Sequence, residues 1–256
     1  MLSSLPQNAL AVGDAGFVGY SYAKAVIDSG RQLLLRVGSN VRLLKKLGYA
    51  MEREGVVYLW PAKAAKQKLP PLVLRLIVVH NGKHPVYLIT SVLSDKILSN
   101  EQITELYSRR WGIELFYRNL KQTFQRRKMR SGCAENARVE LEWSLAGLWA
   151  MGLYAQIEMQ KAGISPKRMS VARVLFAFRQ ALRYYRDPVE RKCSMRDMVR
   201  RAMIDDYQRK CKTSRNYPRQ KQETPPGPPK ITVATRDQIN LAKSIELCEN
   251  QKGLPA

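Results

Sequence analysis

The sequence predicts an α/β fold with a β-rich insertion and C-terminal helices, because short apolar runs alternate with helical patterns in a definite order. The apolar run Ala9–Gly13 stops at Asp14, a helical pattern then ends at Gly30, and Leu33–Val37 forms a second apolar run. Short buried strands separated by a helix are typical of a βαβ unit. Residues 1–39 are therefore interpreted as part of an α/β core.

The next segment, residues 40–98, is rich in strand-forming residues. Two apolar runs, Leu72–Val79 and Val86–Val92, flank an Asn81-Gly82 pair. Asn-Gly between two such runs strongly indicates a β-hairpin, since both residues adopt the positive φ of a tight turn. We expect this segment to form a small antiparallel insertion.

Residues 99–204 are predicted to be helical. Ser99 followed by Gln102 is typical of a capping box at a helix start, and the helical period continues to about Arg130. Two further helices are expected over 135–162 and 171–185. Residues 205–256 are predicted to be a basic, proline-rich and mostly disordered tail, with a short helix over 236–249.

The charge of the chain indicates a polyanionic partner. It carries 44 Lys and Arg against 21 Asp and Glu, a net charge of +23, which favours nucleic acid as the partner. The four cysteines show no zinc or disulfide spacing, which predicts reduced thiols in a reducing compartment, and no secretion signal is visible. Leu141–Ile157 is apolar but too short for a membrane span and predicts a buried core helix.

The most informative pattern is a stripe of polar residues on the predicted helix from Ser99. At about 100° per residue, the stripe lies within an arc of roughly 60°, with an aromatic ring and a cation beside it. The stripe consists of Tyr107, Arg110, Glu114 and Lys121, and its neighbours are Trp111 and Arg118. A carboxylate binds hard metal ions and cations bind phosphates, so the pattern suggests phosphodiester chemistry. Composition alone favours a solvated helix face, in which Arg110 and Glu114 form an ordinary i,i+4 pair.

This spacing, Tyr-x2-Arg-x3-Glu-x6-Lys, resembles the Tyr-Arg-Glu-Lys signature of one group of bacterial insertion-sequence transposases of the Asp-Asp-Glu type. All four positions match. A second match is Asp14-Ala-Gly-Phe17 after the first strand, which resembles the second catalytic Asp of that family. The order of helix, strand, β-rich segment and Glu-bearing helix is similar to the family's ribonuclease-H-like core.

The resemblance implies a metal-dependent DNA cleavage and strand transfer activity in DNA transposition. It also implies a bacterial protein of the cytoplasm that is associated with the nucleoid. It makes Asp14 and Glu114 the catalytic metal ligands, for Mg²⁺ or Mn²⁺. It also implies that Arg110 and Lys121 hold phosphates near the transposon end and that Tyr107 binds beside them. Trp111 and Arg118 lie close enough to the stripe to contact DNA, although packing and solvation explain these two residues equally well.

One feature departs from the family pattern. The family uses a third carboxylate on an earlier strand, and Met1–Gly13 contains neither Asp nor Glu. We therefore expect a ribonuclease-H-like core that is truncated at its N-terminus, with an exposed sheet edge. Two of three carboxylates should bind metal weakly, which predicts that this chain alone is impaired in catalysis.

Two other functions fit parts of the sequence. A DNA-binding remnant or regulator without catalysis explains the charge, as does an unrelated basic RNA-binding protein. Transposon-end DNA is the expected partner, and a second copy of the chain or a full-length relative is the expected protein partner; no membrane is expected.

Overall fold

The computed structural model describes residues 2–49, 54–80, 84–183, 194–202 and 227–252. The chain divides into two compact units. The first unit comprises Met1–Arg110 and Arg219–Ala256, and the second comprises Trp111–Pro218. This division is coarser than the four segments expected from sequence, whose boundaries remain a prediction.

The first unit is built on a mixed sheet of seven strands, so the α/β class is confirmed. In chain order the strands are β1 (Leu10–Gly13), β2 (Gln32–Val37), β3 (Arg42–Lys45), β4 (Val56–Leu59), β5 (Leu72–His80), β6 (Pro85–Thr90) and β7 (Lys230–Val233). Their order across the sheet is β1-β2-β6-β5-β4-β3-β7.

The predicted βαβ unit is confirmed. Strands β1 and β2 pair in parallel from Leu10–Gln32 to Gly13–Leu35, and helix α1 (Tyr20–Asp28) connects them. The run of apolar side chains in β2 is continuous because both faces of this strand are covered.

The predicted hairpin strands are also confirmed, as β5 and β6, while the Asn-Gly turn lies outside the described residues. Strand β6 pairs with β2 in antiparallel orientation. The strands of the predicted insertion therefore extend the same sheet as the βαβ unit. Strand β6 occupies the side of β2 that faces away from β1, so both edges of β2 are paired.

The C-terminal segment returns to the first unit. Strand β7 pairs in parallel with β3, and α8 (Arg236–Lys252) contributes Ala242 and Ile245 to an apolar cluster. The expected helix is confirmed, but the tail is not uniformly without structure. The proline-rich part, residues 208–226, lies outside the described residues.

Two apolar cores lie on opposite faces of the sheet near β2. Leu33 and Leu35 pack on one face with Ala23 and Val26 of α1. Leu34 packs on the other face with Ile103 of α3 (Asn100–Arg109). Asp14 lies on the same face of the sheet as α3, because Tyr107 of α3 contacts its carboxylate.

The helix predicted from Ser99 to about Arg130 is not continuous. Its first part, α3, starts with the expected capping box, in which Ser99 and Gln102 exchange hydrogen bonds. A turn at Arg110 separates α3 from α4 (Trp111–Arg118), and a π-helical turn follows over Asn119–Thr123. Each additional residue in a π turn rotates the following side chains, so the stripe does not keep its ideal spacing.

The second unit is helical. Besides α4, it contains α5 (Ala134–Lys161), α6 (Val171–Arg183) and α7 (Met195–Ala202), and the short α2 (Ala62–Lys66) belongs to the first unit. Leu148 and Met159 of α5 pack with Val174 of α6 and Val199 of α7. Among the described residues, no helix is both long and apolar enough to cross a membrane.

Candidate active site

Asp14 lies directly after β1, at the carboxyl end of the strand. Its Oδ1 accepts a hydrogen bond from the backbone N–H of Ala15 at 2.8 Å and so caps a short 3-10 turn. Gly13 precedes it where space is tight, since a Cβ there would lie 2.7 Å from Cδ2 of Leu35. Close backbone packing and the cap together fix the position of this carboxylate.

Besides the Ala15 N–H, three side-chain donor groups surround the Asp14 carboxylate within the first unit. Nη1 of Arg36 lies 3.9 Å from Oδ1, and Nη1 of Arg110 lies 3.8 Å from Oδ2. The hydroxyl of Tyr107 donates to Oδ1 at 3.5 Å. These four residues are called the Asp14 cluster below.

Tyr107 and Arg110 are one turn apart at the end of α3. The guanidinium carbon of Arg110 lies 5.5 Å from the centre of the Tyr107 ring, a distance at which a cation is attracted to an aromatic face. Burial and the negative charge of Asp14 raise the pKa of Tyr107, which keeps its phenol protonated and able to donate. The predicted closeness of these two residues is confirmed.

Arg36 is the member of the cluster that the sequence analysis missed. Strand β2 is otherwise apolar at this end, with buried Leu35 and Val37 on either side. Arg36 follows the last pair of the parallel register, Gly13–Leu35, as Asp14 does. Adjacent parallel strands place such residues side by side. The sequence signal for this contact was therefore a single cation directly after the buried residues of β2, matching the Asp directly after β1.

The cluster carries more positive than negative charge. Two guanidinium groups oppose one carboxylate, and the Tyr107 phenol is neutral, so the local sum is +1 at neutral pH. Asp14 nevertheless keeps 42% of its side chain exposed. A partly exposed site with surplus guanidinium charge suits an anion such as phosphate.

The same charge balance decides whether the cluster fits a divalent metal ion. Asp14 is its one carboxylate, and both oxygens face guanidinium groups. No group of three His, Cys, Asp or Glu suited to a metal occurs in the described residues. Mg²⁺ and Mn²⁺ require several oxygen ligands, so the Asp14 cluster by itself does not fit either ion.

The remaining predicted site residues belong to the second unit. Glu114 lies half-buried on α4, whose Trp111 is 56% exposed and whose Arg118 is exposed at the last turn. Lys121 lies in the π-helical turn, with Nζ 5.8 Å from the centre of the Tyr117 ring. The stripe is thus divided between the units, and the structure assembles its first half around Asp14.

Comparison with known proteins identifies the family of the chain. The family described as the transposase DDE domain matches residues 1–149, more than half of the 256-residue chain, and the chain belongs to that family. It is also similar to the transposase InsG for insertion sequence element IS4 of Escherichia coli (strain K12), with 27% identity over 181 residues. That match covers 66% of this chain and 40% of the relative, so the chain spans less than half of the curated protein it matches.

Proposed function

We propose that this chain is the DNA-processing part of an insertion-sequence transposase of the Tyr-Arg-Glu-Lys group. It binds transposon-end DNA in the bacterial cytoplasm, and the whole protein cleaves and transfers DNA strands. The observation that carries the proposal is the Asp14 cluster, in which the aspartate of the family pattern meets Tyr107 and Arg110 of the signature. Membership of the DDE transposase family supports the reaction class.

The cations of the cluster supply the binding step of this proposal. Arg36 and Arg110 present guanidinium groups that bind phosphate oxygens in a planar, two-pronged geometry. In the chain without DNA they are held by Asp14, so they are oriented before a phosphate arrives. Lys121, Arg118 and Trp111 are proposed to extend the contact along the DNA, since each is exposed.

Glu114 and Asp14 are proposed as two of the carboxylates of the family's divalent metal site. The family's site holds a further carboxylate, and we propose that a full-length relative supplies it, since the match covers only 40% of the curated protein. Bound Mg²⁺ or Mn²⁺ would supply Lewis-acid activation. The seven-stranded mixed sheet is compatible with a ribonuclease-H-like core, which we propose as the fold family, with residues 40–98 as its β-rich insertion.

Strand cleavage by the purified chain tests this function. The chain is incubated with end-containing duplex DNA and Mg²⁺ or Mn²⁺, and nicking is followed on a denaturing gel. We expect weak or absent cleavage by this chain, and cleavage that depends on Glu114 in a longer protein with the missing carboxylate. Glu105→Ala is the matched control, since Glu105 is an exposed carboxylate on α3 that pairs with Arg109.

Two results would contradict the proposal. Robust cleavage by this chain that disappears in Glu114→Ala would show that no further carboxylate is needed. Equal loss of cleavage in Glu105→Ala and Glu114→Ala in the longer protein would remove the special role of the signature glutamate.

A second function, DNA binding without catalysis, is favoured by one observation. Both oxygens of Asp14 already face arginines, which leaves the cluster better suited to phosphate than to metal. Such a regulator would bind duplex DNA with an affinity that falls steeply with salt, and Mg²⁺ would add nothing beyond screening. Salt-independent binding would exclude it, and binding enhanced by Mg²⁺ at constant ionic strength would favour the catalytic proposal.

A further inference from the structure

Helix α5 has two apolar faces, of which the second unit buries one. Leu148, Met151, Ala155 and Met159 on this face pack against α6 and α7. At 100° per residue, a second apolar stripe lies within about 40° of the line directly opposite Leu148. The expectation of a fully buried core helix is therefore correct for one face of α5 and wrong for the other.

The second stripe is exposed and is called the α5 stripe. Its residues follow a 4-3-4-3-4 spacing, in the order Val139, Trp143, Ala146, Ala150, Leu153 and Ile157. Val139 is 50% exposed, Trp143 75%, and Leu153 and Ile157 43% each. Trp149, 69% exposed, flanks the centre of the stripe.

The α5 stripe extends over about 27 Å of helix. Trp143 and the flanking Trp149 alone bring side chains of about 150–250 Å² each. A contiguous apolar surface of this size is at the upper end of what monomers expose, and such surfaces usually mark an interface. The 4-3 spacing is that of a helix seam which packs against another helix.

The order of residues in the stripe is symmetric about Leu148. Val139 and Ile157 lie nine positions from Leu148, Trp143 and Leu153 lie five positions from it, and Ala146 and Ala150 lie two positions from it. An antiparallel copy of α5 would therefore set large residues against large ones at both ends. The small residues would meet at the centre, where they allow the helix axes to approach closely.

The charges at the two ends of α5 show the same symmetry. Glu135 lies in the first turn and Lys161 in the last turn, and each lies thirteen positions from Leu148. An antiparallel pair would bring Glu135 of each helix to the level of Lys161 of the other. A parallel pair would instead bring like charges together, which is unfavourable.

We infer that the α5 stripe is a self-association surface on which a second copy of this chain docks its own α5 in antiparallel orientation. Two-fold interfaces require a surface that is complementary to itself, and the symmetry of both apolar and charged residues about Leu148 meets that requirement. The inference does not depend on the proposed catalytic function.

Analytical ultracentrifugation of the full chain tests the surface. The buffer should contain enough salt to remove nucleic acid, because an apolar interface persists at high salt whereas association through DNA does not. We expect a monomer–dimer equilibrium, and a dissociation constant at least tenfold higher for Trp143→Glu. Leu182→Glu is the matched control, since Leu182 is a comparably exposed apolar residue on α6, at 68%.

A monomer at every concentration would overturn the inference, even if another protein or a lipid binds the stripe. Equal weakening by Trp143→Glu and Leu182→Glu would also overturn it, because the effect would not be specific to α5. Circular dichroism at 222 nm checks that both variants keep their helices.

Disulfide trapping tests the orientation. All four cysteines are changed to serine, and the single variants Val139→Cys and Ile157→Cys are made in that background. Antiparallel pairing predicts that a mixture of the two proteins forms a mixed disulfide faster than either protein alone. Faster cross-linking of Val139→Cys with itself would indicate a parallel pair and overturn the proposal.

Discussion

Asp14 and Arg110 are partners across two elements of the first unit, with Oδ2 of the acid 3.8 Å from Nη1 of the cation. Asp14 ends a strand and Arg110 ends a helix, so the sheet and α3 must pack correctly for the pair to form. The two residues therefore form an internal ion pair that links the sheet to α3. The phosphate binding that we propose for Arg110 would compete with this internal ion pair.

Arg110→Gln should weaken binding to duplex DNA and reduce the slope of log K against log salt by about 1, because one phosphate contact is lost. Fluorescence anisotropy over a salt series measures both quantities. Arg109→Gln is the control, since its neighbouring guanidinium is 67% exposed and pairs with Glu105. An identical change in slope for the two variants would show that position 110 has no special role.

Asp14→Asn and Asp14→Ala should separate the structural role of this residue from its charge. Asparagine can still accept the hydrogen bond from Ala15, so Asp14→Asn should change the free energy of unfolding by only a few tenths of a kcal/mol. Asp14→Ala loses the cap and should cost about 1 kcal/mol. Urea unfolding followed by circular dichroism compares them, and equal stability of the two variants would refute the capping role.

Gly13→Ala should destabilise the first unit by about 1–2 kcal/mol, because its methyl group would press on Leu35, which is fully buried. Gly16→Ala is the matched control, since a Cβ at that position meets nothing within 4 Å. The thermal unfolding midpoint of each variant gives the comparison. If Gly16→Ala lowered the unfolding midpoint more than Gly13→Ala did, the close approach of β1 and β2 would not be what excludes a side chain at position 13.

Glu158 should make the second unit sensitive to acid. Its buried carboxylate accepts hydrogen bonds from Arg196, Lys161 and Arg200, and these, led by Arg196, lower its pKa from 4.5 to about 2. The unfolded chain binds this proton more tightly than the folded chain does, so protonation favours unfolding. The stabilisation is complete above about pH 4.5 and is lost as the pH falls toward 2.

Hydrogen exchange of α5, α6 and α7 across this pH range measures the effect. Glu158→Gln should remove most of the pH dependence between 4.5 and 2 and should also reduce stability at neutral pH, because three cations lose their partner. Glu142→Gln is the control, since Glu142 forms an exposed pair with Arg138 on the same helix, and such pairs contribute little. If the pH dependence of hydrogen exchange were unchanged in Glu158→Gln, a group other than Glu158 would cause the loss of stability in acid.

The local sequence pattern was enough to predict the elements that are stabilised by interactions between residues close together in the sequence. The βαβ unit around Asp14 and the hairpin strands followed from apolar runs and turn residues. Helix α3 followed from its capping box. The approach of Tyr107 and Arg110 to one another followed from the helical period.

The features that depend on distant contacts were not predictable from local pattern. Arg36 joins Asp14 only because two strands adopt a particular register. Strand β7 forms because β3 offers an edge almost 190 residues earlier in the chain. The sequence pattern predicts one uninterrupted helical period from Ser99 to about Arg130. The structure interrupts this period twice, at the turn at Arg110 and at the π turn over Asn119–Thr123.

The return of β7 to the first unit has a consequence for the order of synthesis. The second unit is encoded entirely between the two parts of the first, so a ribosome completes α4 to α7 before it makes the strand that pairs with β3. Domains generally fold as units while the chain emerges. We expect the helical unit to reach its native state first, while β3, which pairs with β4 on one side, keeps its other edge unpaired until translation has passed Val233.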